Sequence, residues 1–313
     1  EPTSLWDNKN NGSLATKGHN NELINHIGTS IGPRNTRRNY ANTWAKGIDD
    51  EKLAKRTAYQ TYLKKYLRCV KGVDDNLKRL ISYLKAAKLY ENTLIIYTGD
   101  QGFMLGEHDY QDKRWAYEET IRMPFIVHYP KVVKAGTRID AIIENIDYTA
   151  LMLDYAGVKT PSYMQGRSFR SILETGEELD NWKKAAYYQY WMHMAHHDNP
   201  AHIAMRTKRY KLIFYYGCKP YENEADTPPA WELYDLKTDP KELNNIYGLK
   251  KNEVIVRELK QQFRQMRAEN GADAAKFTAN QVIDDFWDYD EHDYKRAIQI
   301  SHQYAAKRNK VGE

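Results

Sequence analysis

Asp100 and Gln101 stand side by side just after an apolar, β-rich run, Thr93-Leu-Ile-Ile-Tyr97, where the chain turns polar and glycine-rich at Thr98-Gly99-Asp100-Gln101-Gly102. A carboxylate beside a carboxamide offers two hard oxygens, a pair suited to calcium or magnesium. Glu107, His108, Asp112, Lys113 and Arg114 follow directly. So many ionisable groups between two apolar segments mark a place for chemistry rather than an ordinary surface turn. His108 suits substrate contact or proton transfer, because an imidazole titrates near neutrality, and a purely structural role stays equally open.

Such a site needs a scaffold. In an open α/β sheet, ligands bind beyond the carboxyl ends of the strands, which makes Thr93–Tyr97 a buried strand with Asp100 and Gln101 at its exit. Met123–Tyr129, closed by Pro130, reads as a second strand, parallel to the first in a sheet covered on both faces. Tyr117–Arg122 is short and helical between them. Apolar residues at three- and four-residue steps from Ala58 to Leu84 predict one long helix over Asp49–Lys88, capped by Asp49 or Asp50 and with Cys69 inside. Ile142–Val158 reads as another helix, buried through Ile143, Ile146, Leu151, Leu153 and Ala156 and ended by Gly157. Residues 1–48 are irregular; Arg34, Arg37 and Arg38 there fit a solvated loop face better than an anion site.

Beyond Glu178 tyrosine, tryptophan and histidine take over. Ala186–Tyr190, Ala204–Thr207, Tyr210–Tyr216 and Trp231–Leu236 read as strands whose short connections require antiparallel pairing. An amphipathic helix over Val254–Glu269 and a docked helix around Tyr294–Ala306 complete the pattern. The expected division is therefore residues 1–178 as part of an α/β domain, 179–271 as a smaller subdomain, and 272–313 as an extension.

Tyr97-Thr-Gly-Asp-Gln-Gly-Phe, Leu105-Gly-Glu-His, Asp112-Lys-Arg, Tyr117-Glu-Glu-Thr-Ile-Arg-Met-Pro-Phe, Met164-Gln-Gly-Arg-Ser-Phe169 and Asp239-Pro-Lys-Glu-Leu-Asn-Asn together resemble the type I sulfatases of the alkaline phosphatase-like superfamily. The likeness runs from about Tyr59 to Ala268. It implies an α/β fold, an alkaline phosphatase-like sheet flanked by helices and incomplete here, with a smaller C-terminal antiparallel β subdomain. It also implies that Asp100 and Gln101 are ligands of one Ca2+ site, half of which this chain supplies, and that Lys113 binds the sulfate. The family's nucleophile motif, Cys or Ser followed by x-Pro-Ser-Arg, is nowhere in the chain. The resemblance thus places the nucleophile, a formylglycine, in an N-terminal portion missing from this sequence, and implies a secreted or periplasmic hydrolase of sulfated oligo- or polysaccharides. A phosphatase or phosphonate hydrolase of the same superfamily, or a non-catalytic sulfated-glycan-binding protein, is the alternative.

Composition bounds these readings. Among 313 residues, 47 Lys and Arg are interspersed with 42 Asp and Glu, a mild net charge of +5 that does not indicate a nucleic-acid surface. No apolar run is long enough to span a membrane. Two cysteines, Cys69 and Cys218, cannot build a disulfide framework or a structural zinc site. His193, His196, His197 and His202 form the remaining cluster. Structural packing, hydrogen bonds to sugar hydroxyls and a metal site are three readings of it, and the second assigns substrate binding to His196 and His197. The acidic run from Asp284 to Asp293 reads as a solvated face.

Overall fold

The three- and four-residue spacing that begins at Ala58 does produce one continuous helix. In the computed structural model, which describes residues 1–6 and 12–311, it spans Glu51–Ala86, and Asp50 Oδ1 caps it by accepting the Leu53 N–H at 2.7 Å. In chain order the helices are α1 (Thr3–Trp6), α2 (Leu14–Lys17), α3 (Ala41–Trp44), α4 (Glu51–Ala86), α5 (Glu118–Ile121), α6 (Asp147–Tyr155), α7 (Arg170–Thr175), α8 (Glu253–Glu269), α9 (Ala279–Asp285) and α10 (Glu291–Val311). The strands are β1 (Ile95–Thr98), β2 (Met104–Leu105), β3 (Gln111–Asp112), β4 (Phe125–His128), β5 (Ala185–Tyr190), β6 (His202–Thr207), β7 (Tyr210–Tyr215) and β8 (Ala230–Asp235). No helix among the described residues is long and apolar enough to cross a membrane. The chain folds as two compact units, one of Glu1–Lys64, Gly102–Arg122 and Tyr187–Glu313, the other of Lys65–Gln101 and Met123–Ala186.

The larger unit is built on the sheet β5–β6–β7–β8, in which β6–β7 and β7–β8 pair antiparallel, with Ala204 opposite Ile213 and Leu212 opposite Leu233. Trp231 of β8 is its hub. It stacks on Phe214 at 4.4 Å, meets Trp287 edge-on at 5.0 Å, and carries the Lys260 ammonium of α8 over its ring at 4.3 Å. A second cluster packs Leu5, Ile31, Ala41 and Ala45 against the start of α4 through Ala54, Ala58, Tyr59 and Tyr62. Residues 1–6 and 12–48 hold short helices in an otherwise irregular course.

The smaller unit holds β1, β4, α6 and α7 around Leu151, Phe169, Ile172 and Trp182. β1 and β4 run antiparallel, with Tyr97 opposite Ile126, and not parallel as their apolar runs suggested. An apolar run reports burial and not direction. A parallel pair needs a crossover, and the intervening segment offers only a 3-10 turn at Glu107–Asp109, the four residues of α5 and the β2–β3 pair. Tyr97 is 36% and Ile126 60% exposed, so one face of this pair is open rather than covered. The stretch of α4 carrying Leu67, Val70, Val73 and Leu80 is likewise exposed, and so is Cys69, which the helical pattern had placed in a core. The helix expected over 142–158 shortens to α6, and Ile146, counted among its buried positions, is exposed before the first turn.

Candidate active site

β1 stops at Thr98, whose hydroxyl donates to the Tyr148 hydroxyl at 3.2 Å, and the chain then turns outward to Asp100 and Gln101. Asp100 is exposed and Gln101 half-buried. The Asn145 amide donates to the Asp100 carbonyl at 3.4 Å, and an open pocket here is lined by Thr98, Gly99, Asp100, Asn145, Ile146 and Tyr148. The wall of that pocket is braced from behind. Asp147, fully buried, accepts the N–H groups of Glu144 and Arg167 at 2.9 Å each and pairs with Lys183 at 2.8 Å. Gly166 lets the Met164–Phe169 segment close on this brace, since a Cβ there would fall 1.9 Å from the Ile146 carbonyl oxygen. Gly102 has a similar duty in the larger unit. Its N–H donates to the Thr120 carbonyl at 2.7 Å, and a Cβ would lie 2.1 Å from the Glu119 oxygen.

His108, Lys113, His196 and His197 belong to the larger unit. β2 pairs with β3, setting Met104 opposite Asp112, and Lys113 and Arg114 follow the pair. Asp112 sits in the left-handed region at φ 86°, as do His108 at 54°, Asp109 at 61° and His196 at 57°. Non-glycine residues adopt this conformation at a cost of about 1–3 kcal/mol each, and it recurs where a loop must aim particular side chains. Arg114 is committed to an ion pair with Asp112. The His197 Nδ1 lies 3.8 Å from the same carboxylate and 3.1 Å from the Thr29 hydroxyl, and burial pulls the His197 pKa down against the pull of Asp112. The Lys113 ammonium has no hydrogen-bond or ion-pair partner among the described residues, and its side chain is half-buried.

His108 is 1% exposed, stacked on Tyr117 at 4.6 Å, with its backbone N–H donating to the Ser4 hydroxyl. Burial, helped by Lys211, pushes its pKa down to about 3. The imidazole is therefore neutral at neutral pH. Neighbouring Asp109 is a buried anchor, accepting the Gly32 N–H at 3.1 Å and pairing with Arg34 at 3.2 Å and Lys55 at 3.1 Å.

The four clustered histidines separate. His193 accepts the Ala201 N–H at 3.0 Å on Nδ1 and gives Nε2 to Asp226, while His202 is buried in β6 among Trp115, Tyr190 and Tyr215. His196 is exposed and His197 half-buried. No three-residue grouping with metal-ligand spacing among the described residues includes any of the four. The acidic run does produce one such grouping, Asp290, His292 and Asp293, at the start of α10. There Asp290 caps the helix by accepting the Asp293 N–H at 2.9 Å, and Asp293 pairs with Arg296 at 3.2 Å.

A buried charge network had no counterpart in the sequence reading. Lys211 of β7, fully buried, bridges Glu118 at 2.9 Å and Glu242 at 2.7 Å, while Arg206 holds Glu118 from the other side at 3.0 Å. Burial pushes Glu118 up, yet Lys211 and Arg206 outweigh it and hold its pKa down to about 2. For Glu242 burial wins over Lys211 and raises the pKa to about 7. Glu242 reaches this place because Asp239 accepts the N–H groups of Leu243 and Asn244, and Asn245 accepts that of Leu233, which folds the Asp239–Asn245 turn onto β8.

Two family models match the chain: sulfatase over residues 23–158, and N-sulphoglucosamine sulphohydrolase, C-terminal, over residues 106–269. The chain belongs to the type I sulfatase family. An N-acetylglucosamine-6-O-sulfatase of Bacteroides thetaiotaomicron is 47% identical over 191 residues, 61% of this chain and 33% of that protein. A solved structure holding its substrate, D-glucosamine-2-N,6-O-disulfate, is 38% identical with a TM-score of 0.68 and covers 75% of this chain and 46% of its own. A phosphonate monoester hydrolase from Silicibacter pomeroyi is 25% identical with a TM-score of 0.56, covering 69% and 41%. The chain thus spans between a third and a half of the length of these relatives. The family resemblance, the alkaline phosphatase-like fold and the small antiparallel sheet all stand. Asn145, Asp147 and Lys183 were missed as parts of the site, although the first two lie in the Asn145-Ile-Asp147-Tyr-Thr segment that the resemblance includes.

Proposed function

We propose that the chain is part of a sulfuric ester hydrolase that removes sulfate from a sulfated amino-sugar glycan. The observation that carries this is the 47% identity, over 61% of the chain, with a protein named N-acetylglucosamine-6-O-sulfatase. In this reading Asp100 and Gln101 hold calcium, Lys113 contacts the sulfate, and His196 and His197 reach the sugar. The donor chemistry fits: an exposed carboxylate and a carboxamide at a strand exit give hard oxygens, one of them anionic, as half of a six- to eight-oxygen cage. Bound calcium supplies a Lewis acid that draws charge from the ester oxygens. Asp147 and Lys183 position the Asn145–Tyr148 wall beside Asp100. His108, neutral and enclosed, is assigned to shaping the loop before Lys113 rather than to moving a proton. The nucleophile, a formylglycine made from Cys or Ser, is assigned to sequence outside these residues. A polymeric sulfated glycan is too large to enter a cell intact, which favours a secreted or periplasmic enzyme.

Two outcomes test the proposal. The chain of residues 1–313 by itself is expected to release no sulfate from D-glucosamine-2-N,6-O-disulfate above background; measurable turnover would mean that it carries its own nucleophile. In the complete protein, the same substrate is expected to be hydrolysed faster than a phosphonate monoester, and Asp100→Ala to abolish both calcium binding and nearly all activity. Asp74→Ala, on the exposed face of α4, should change neither. Calcium retained after Asp100→Ala, measured by equilibrium dialysis, would put the metal elsewhere.

A further inference from the structure

We propose that His19 and His302 form a zinc site that clips the N-terminal segment of the larger unit to its last helix. His19 Nδ1 and His302 Nε2 lie 3.1 Å apart although 283 positions separate them in sequence. Their rings meet at 65° with centroids 5.1 Å apart, so the two nitrogens converge edge-on and do not stack. Two nitrogens on one tetrahedral zinc, at the usual bond lengths, sit about 3.3 Å from each other. The observed spacing is already close to that.

Glu22 offers the third donor. Its Oε1 is 3.9 Å from His302 Nε2 and accepts both the His19 N–H and the Ser301 hydroxyl at 3.0 Å. Its Oε2 is buried without a hydrogen-bond partner among the described residues, an arrangement that costs free energy unless something occupies that lone pair. Ser301, fully buried on α10, also takes the His19 N–H at 3.3 Å and so ties the His19 segment to α10. The Asn20 amide, 3.4 Å from His19 Nδ1, is the remaining polar contact. The three donors do not all lie within 4.8 Å of one another, so the ion must draw the carboxylate inward. His302 is exposed, which leaves a fourth position to water. Neutral imidazoles with one carboxylate suit zinc, and neighbours in the first-row series, better than calcium. A clip closing so long a loop stabilises the folded chain by constraining the unfolded one.

The test is titration of the full chain, in saturating calcium, with Zn2+ by calorimetry and with Co2+ by visible absorption. The expected result is one tight zinc equivalent, tetrahedral cobalt bands and a raised melting temperature. His302→Gln, at an exposed position, should keep the metal-free melting temperature, erase the cobalt bands and weaken zinc at least about 100-fold, while Glu22→Gln weakens it at least about tenfold. His292→Gln, in the separate grouping at the start of α10, should change nothing. Zinc affinity unchanged by His302→Gln, or absence of zinc binding, would overturn the site and leave the contact as a hydrogen bond between two imidazoles.

Discussion

Lys113→Ala is expected to slow sulfate release by the complete enzyme by two to three decades while leaving its melting temperature unchanged. Lys113 and Arg114 are adjacent cations that charge cannot distinguish, and their surroundings separate them. Arg114 is spent on Asp112, a carboxylate that also faces His197 and sits on strained left-handed backbone. Lys113 has no such obligation among the described residues. Its compact ammonium can act as a point charge on one sulfate oxygen without the planar geometry that a guanidinium requires. A charge-assisted hydrogen bond that strengthens as the ester bond breaks is worth about 3–4 kcal/mol, which sets the expected loss in turnover. Arg114→Ala should behave in the opposite way, leaving Asp112 unpaired at a cost of about 1–3 kcal/mol in stability with a smaller loss in rate. Near-native turnover in Lys113→Ala, together with inactive but normally melting Arg114→Ala, would reverse the two roles.

That contrast also shows where sequence was legible. α4, α8 and the four strands of the C-terminal sheet are local events, each announced by its own period, cap or β-rich run, and lie close to their expected bounds, while α10 runs past the Tyr294–Ala306 expected for it at both ends. Strand direction is not local, and β1 and β4 were assigned the wrong one because an apolar run carries no record of where its partner comes from. Burial in the smaller unit was overestimated at Ile126, Ile146 and Cys69 for a related reason. Hydrophobic character says that a surface is fit to be covered, not that anything in this chain covers it. The motif glycines were visible as letters but not as reasons; only the fold shows that Gly102 and Gly166 pass within a Cβ's reach of a carbonyl oxygen. Least legible were the buried carboxylates. Glu232 collects Ser13 and Thr16 from one distant segment and Tyr117 from another, besides Tyr234 on its own strand, and nothing near it in sequence announces the distant partners.

The Lys211 network is where this illegibility has its largest energetic consequence. Lys211→Met keeps the length and apolar stem of the side chain but removes the cation from between Glu118 and Glu242, and is expected to destabilise the protein by about 3–5 kcal/mol at neutral pH. Glu118 keeps Arg206, so the loss falls on Glu242. The sign of the pH dependence follows from the two carboxyls. Glu118, held near 2, stabilises the fold above its ordinary 4.5, and that contribution is lost as pH falls toward 2. Glu242, raised to about 7, retains a proton in the folded state that the unfolded chain releases near 4.5, so stability falls as pH rises from 4.5 to about 7. Denaturant unfolding of the parent should therefore show a decline across that upper window, and Glu242→Gln should flatten it. In Lys211→Met, Glu242 lacks the cation that favours its ionised form, so its pKa rises further and the decline extends to higher pH. Adding Glu242→Gln to Lys211→Met removes the buried carboxyl that must hold a proton in the folded state above its ordinary 4.5, and should restore much of the lost stability, because a buried carboxyl without its cation costs more than the absence of the pair. If Lys211→Met unfolds within about 1 kcal/mol of the parent at pH 7, the network contributes no more than an exposed ion pair would.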